Sequence, residues 1–99
     1  MLYAIIGRDK PNSLETRLAV RPRHLVRAEA LRNEGRLVLA GPFPAIDSPD
    51  PGPAGFTGSL IVAEFPSQAD AEAWINADPY ATEGVFASVE VRPFKQVLP

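Results

Sequence analysis

Apolar and polar positions along the chain fall into two periods. Leu2 to Ile6 is a short apolar run closed by Arg8, Asp9, Lys10 and Pro11, and its length predicts a buried strand over 2–8. Ser13, Leu14, Glu15 and Leu18 then start a helical turn. Pro22 pushes the residue before it out of the α region and suits the first position of a helix, so the pattern reads as a turn, a break and a helix from Pro22 to Glu34. His24, Ala28 and Leu31 share one face of that helix, the face turned toward a sheet. Gly35 supplies a left-handed stop, and Arg36 to Ala40 reads as a strand ending at Gly41 and Pro42.

The second half repeats the order. Pro42 to Gly58 is dense in proline and glycine and predicts an irregular but ordered excursion close to any pocket. Thr57 to Phe65 is a strand around Leu60, Ile61, Val62 and Ala63. Ser67 caps a helix with Asp70 three residues on, and Ala71, Trp74 and Ile75 form the inner face. Asp78 leaves that helix because Pro79 follows it, and Gly84 ends the connection. Val85, Ala87, Val89 and Val91 alternate with Phe86, Ser88, Glu90 and Arg92 in a last strand that runs to Phe94, with Pro93 suited to a sheet edge. The order β-α-β-β-α-β predicts an α+β, ferredoxin-like antiparallel sheet with both helices on one face. The uncovered face, with Leu60, Val62, Val89 and Val91 as its apolar candidates, is expected to meet a second copy.

Composition narrows the classes. Residues 1–99 suit one domain whose modest core favours further burial in a homodimer. A net charge of −2 offers nucleic acid or anionic membrane no overall attraction. The absence of cysteine removes disulfides and thiolate chemistry and fits a reducing compartment, and the first apolar run meets charge too early for a leader. A cytoplasmic protein is the expectation. One histidine without cysteine argues against a metal site within a single chain, and no cofactor is expected.

The chemistry concentrates in two islands. His24 is the only side chain of the chain whose ordinary titration lies near neutral pH, and Asp78 is a carboxylate at a forced bend. Each has a structural and a functional reading. His24 is either a core histidine with a backbone partner or a general base kept neutral by a nearby helix N-terminus. Asp78 either caps its own turn or orients the imidazole, and in this fold the two should lie within hydrogen-bonding or one-water reach. Arg17, Arg21, Arg23, Arg27 and Arg32 read as a solvated helix face, with carboxylate or phosphate binding as the alternative, Arg21 foremost. Ser59 and Tyr80 are further substrate-contact candidates, although strand bonding and core packing explain them with less assumption.

Long blocks of the chain are distinctive. They include Asp9-Lys10 with Ser13-Leu14-Glu15, Val20-Arg21-Pro22 with His24-Leu25, Glu34-Gly35-Arg36-Leu37, Ala54-Gly55-Phe56-Thr57-Gly58-Ser59, and Ala77-Asp78-Pro79-Tyr80. In these the chain resembles the YciI-like (YCII-related) family almost end to end, with Tyr80 standing where that family often has Phe. The resemblance implies a dimeric α+β barrel and a site built on His24 and Asp78. It also brings in a chlorinated-hydroquinone dehydrochlorinase that shares the domain, while related folds host muconolactone isomerase and small monooxygenases. A lyase or isomerase acting on a small, cyclic or aromatic substrate is the resulting expectation, with a non-catalytic, metabolite-binding or stress-associated dimer as the alternative.

Overall fold

The computed structural model describes residues 1–99. Its elements are β1 (Leu2–Asp9), α1 (Leu14–Asn33), β2 (Leu37–Pro44), β3 (Phe56–Glu64), α2 (Gln68–Asn76), α3 (Pro79–Thr82) and β4 (Phe86–Phe94), with a 3-10 turn at Gly52–Ala54. The strands form one antiparallel sheet in the order β2-β3-β1-β4, and the helices cover one face of it in the ferredoxin-like manner. The α+β expectation therefore holds.

Four details differ from the sequence reading, each for a physical reason. Helix α1 runs unbroken through Pro22. Proline leaves the Leu18 carbonyl without its usual donor, but both residues lie on the exposed side, where water can take that bond. The intrinsic cost of proline, roughly 3 kcal/mol, is offset by the buried face of Arg17, Val20, His24, Ala28 and Leu31. His24 consequently sits in mid-helix, out of reach of the N-terminal dipole invoked for it, which fades within one turn.

The second difference is that β2 continues to Pro44. It is an edge strand, so the N–H groups missing at Pro42 and Pro44 leave no ladder bond unmade. Third, the residues after Asp78 form the additional short helix α3. Fourth, strict alternation fails in β4. The pairing skips from Arg8 opposite Ser88 to Asp9 opposite Phe86, and this bulge turns Phe86 into the core.

The core lies between sheet and helices. Tyr3, Ile5, Ile61, Ala63 and Phe65 rise from the sheet to meet Val20 and Leu31 of α1, Ala71 and Ile75 of α2, and Tyr80 of α3. Val89 and Val91 belong to this face, opposite Gly7 and Ile5, and pack against the core, so they are not available on the open face. That face carries Ala4, Ile6, Leu39, Leu60 and Val62 in its middle, while on β4 it shows Ser88, Glu90 and Arg92. The Ser67 cap forms as read, its hydroxyl oxygen accepting the Asp70 N–H at 3.1 Å. Gly35 ends α1 with φ +73°.

The loop between β2 and β3 is closed by the Ala45 N–H donating to the Gly55 carbonyl at 2.9 Å, and Pro51 within it is buried. Gly58 is where β3 comes so close to β1 that a β-carbon would collide with the Gly7 carbonyl oxygen, a backbone atom that cannot swing aside. Gly58→Ala should therefore cost about 1–3 kcal/mol in urea unfolding. Gly41→Ala, on the edge strand with open space around it, should stay within about 0.5 kcal/mol of the parent.

Candidate functional site

Asp78 is completely buried, and three donors converge on it. The nitrogen Nδ1 of His24 lies 2.9 Å from Oδ1 and 3.0 Å from Oδ2. Arg27 Nη1 donates to Oδ2 at 2.9 Å, and the Tyr80 N–H donates to Oδ1 at 2.9 Å. The last of these makes Asp78 the cap of α3, so one carboxylate both caps its own turn and bonds the imidazole. Burial works to raise its pKa, but the hydrogen bond and charge of His24, the Tyr80 N–H and the Arg27 charge together hold it below the ordinary carboxylate value. An ionised Asp78 accepts from Nδ1–H, which in the neutral imidazole leaves Nε2 unprotonated.

The other edge of the imidazole is open. His24 lines a cleft of about 420 Å³ with Arg17, Arg21, Leu25, Phe56, Ser59, Ile61 and Tyr80 among its walls. No buried side-chain nitrogen or oxygen in the chain lacks a partner, and Nε2 has none, so Nε2 must be accessible from that cleft. Asp78 does not line it and can act on a bound molecule only through the ring.

Tyr80 fixes the ring plane. Its own ring stacks on His24 at 4.1 Å between centroids and 19° between planes, and Phe86 meets it edge-on at 5.5 Å. The short helix that carries Tyr80 is tied down by the Val85 N–H bonding to the Tyr80 carbonyl at 3.0 Å, and the Lys10 N–H bonding to the Val85 carbonyl at 2.8 Å. Burial, together with the Asp78 charge, raises the Tyr80 phenol above its usual value against the pull of Arg17 and Arg21. The phenol thus remains protonated at neutral pH.

A second buried ion pair stands beside the first. Arg17 grips Asp9 with Nε and Nη2, both at 2.8 Å, and Nη2 also donates to Ser59 Oγ at 3.0 Å. Its guanidinium lies 4.5 Å from the Tyr80 ring centroid. Ser59, expected as a substrate contact, borders the cleft but its oxygen is engaged in holding Arg17. Arg21, an anion-binding candidate in the sequence, lines the cleft. The reading of the arginines as a solvated face needs correction at two positions, since Arg17 is buried and Arg27 is half-buried, its Nη2 donating to the Trp74 carbonyl at 2.9 Å and its guanidinium 4.4 Å from the Trp74 ring centroid. Asp9 was no candidate in the sequence, and Arg17 and Arg27 entered there only within a helix face read as solvated or anion-binding. The signal that could have placed the two arginines at the site is phase, because Arg17, His24 and Arg27 recur at intervals of seven and three along one helix.

The YCII-related domain model matches residues 1–95. The chain belongs to the YCII-related domain family. It is 59% identical over 98 residues to Protein YciI of Escherichia coli O6:H1, covering 99% of this chain and 100% of that protein. An uncharacterized protein of Haemophilus influenzae is 52% identical over the same extent. Among solved structures, the 5-chloro-2-hydroxyhydroquinone dehydrochlorinase of Burkholderia phenoliruptrix AC1100, in complex with 2,5-dihydroxybenzoquinone, superposes with a TM-score of 0.83 at 27% identity, over 96% of this chain and 94% of that one.

Removing the buried carboxylate should be costly. Asp78→Asn leaves Arg27 without its counter-charge and should destabilise the protein by about 3 kcal/mol in urea unfolding at neutral pH. Because the folded-state pKa of Asp78 lies below the ordinary value of 3.8, its stabilising contribution is complete above that value and is lost as pH falls through the folded-state pKa. The variant should therefore lose less stability than the parent between about pH 5 and pH 2, and an identical acid profile would refute the assignment.

Proposed function

We propose that this protein is an enzyme of the lyase or isomerase type in which Nε2 of His24 moves a proton on a small ring substrate. The single observation carrying the proposal is an imidazole anchored at Nδ1 by a buried, ionised carboxylate, with its other nitrogen opening on a partly apolar cleft. Asp78 is then a positioning residue that selects the tautomer and steadies the imidazolium once it forms. Nε2 takes a proton from an acidic C–H or O–H of the substrate. The electron pair left behind either shifts within the ring, with the proton returned at another carbon, or expels a leaving group such as chloride, with the proton released to water. Likeness to a protein named as a hydroquinone dehydrochlorinase supports hydroxylated rings as the first substrates to try.

The same reading extends to assembly. The open sheet face, with Leu39 46% exposed and Phe43 40% exposed, is proposed as the surface on which two copies close into an α+β barrel. Sedimentation equilibrium at micromolar concentration should give a dimer, and Leu39→Glu should shift it toward monomer. A monomeric parent protein would overturn this assignment.

Catalysis is tested by incubating the protein with a panel of chlorinated and hydroxylated hydroquinones, aromatic acids and unsaturated lactones, following ultraviolet spectra and chloride release. At least one compound should turn over, and His24→Gln should lower kcat by about 10²–10⁴-fold, the span of a positioned acid or base. Binding without turnover by either form would favour a metabolite-binding module in the same cleft.

A further inference from the structure

The cleft that exposes His24 also holds two guanidinium groups with donors to spare. Arg17 spends Nε and Nη2 on Asp9 and Ser59 and bears on the Tyr80 phenol, while Nη1 bonds neither Asp9 nor Ser59. Since no buried nitrogen or oxygen is left unpartnered, this Nη1 must be accessible, and the side chain lines the cleft. Arg21, one helical turn further along α1, lines the same cleft. The chain's ion pairs engage Arg8, Arg17, Arg23, Arg27, Arg36 and Arg92, and Arg21 is in none of them.

No aspartate or glutamate lines the cleft, so Arg21 meets no carboxylate there. The carboxylates that bond the cleft's lining residues do so from behind, Asp9 in a bidentate grip that balances Arg17 and Asp78 on the imidazole. Arg17 lies 4.5 Å from the Tyr80 ring centroid, and Arg21 stands one helical turn from Arg17 on the wall of the same cleft. A guanidinium held rigid by a buried carboxylate keeps its remaining donors in fixed directions, the preorganisation that favours a planar anion over water.

We infer that Arg17 and Arg21 form an anion subsite within the His24 cleft, and that the molecule it takes is a flat organic oxyanion whose ring lies against Leu25, Phe56 and Ile61. The anionic oxygen is either a carboxylate on the ring or the ring's own phenolate or enolate oxygen. The catalytic meaning rests on the reading of His24 as a base: as Nε2 withdraws a proton, negative charge grows on a substrate oxygen, and a guanidinium donor aimed there stabilises it. The binding subsite itself does not depend on that reading. Arg17 is buried and structurally tied, whereas Arg21 is exposed and free, so the two divide the work between a fixed donor and an adjustable one.

Isothermal titration calorimetry of the full chain tests the subsite with benzoate against benzamide, and with 4-nitrophenolate against 4-nitroanisole. At least one anion should bind about tenfold or more tightly than its neutral counterpart, the factor carried by one charge-assisted hydrogen bond, and added salt should erode the preference. A preference for benzoate identifies a ring carboxylate as the natural group, and a preference for 4-nitrophenolate identifies a ring oxygen. Arg21→Gln, a surface change that leaves the core untouched, should abolish most of the preference, while His24→Gln should retain it. Equal binding of anions and neutral counterparts, or a preference unchanged in Arg21→Gln, would overturn the subsite. An anion preference without turnover of any ring compound would reject the enzyme reading and leave the subsite standing. Turnover without anion preference would do the reverse.

Discussion

A carboxylate with no exposed surface must be surrounded by donors, and the arrangement around Asp78 satisfies that requirement with an imidazole, a guanidinium and a backbone amide. The three come from two places, His24 and Arg27 on α1 and the Tyr80 amide at the start of α3, so meeting the charge's needs brings those elements together. Much else follows. Tyr80 stacks on His24 because the cap at Asp78 sets where α3 begins. Phe86 closes against Tyr80 because the bulge opposite Arg8 and Asp9 turns it inward. The open edge of the imidazole is thus determined by contacts made entirely behind it.

Helix α1 is unusual in what it buries. Beside Val20, Ala28 and Leu31, its inner face carries a buried arginine and a buried histidine, each facing a buried carboxylate from another part of the chain. Buried pairs of this kind contribute little net stability compared with apolar packing of the same volume, and their loss from one side is expensive. Their effect is on placement: an apolar helix face could slide by a turn, whereas Arg17 on Asp9 and His24 on Asp78 define one register at two widely spaced points.

That register explains how much the sequence could reveal. The strands, the Ser67 cap, the Gly35 stop and the two-layer order were legible because each depends on local pattern. His24 and Asp78, 54 residues apart, could be linked because the chain resembles a family, since His24 lies in mid-helix rather than at a helix end beside Asp78. Arg17 was lost to a local rule. Taking Pro22 as a break cut Arg17 from the helix of His24, and with it the phase that would have placed both on the buried face. Proline's cost was real but borne by solvent-facing backbone, which composition does not disclose. Arg27 was missed for another reason, since its partner carboxylate is 51 residues away and a half-buried arginine reads like any surface charge.

The prolines in the outer strands have a consequence beyond tolerance. Strand β2 at one edge of the sheet carries Pro42 and Pro44, and β4 at the other carries Pro93. A strand arriving from another molecule would find missing donors on both sides, so the sheet resists being extended sideways into a continuous ribbon. Copies of the chain are left with meetings of face to face, which close upon themselves, and the route by which flat sheets grow into fibres is interrupted at both ends.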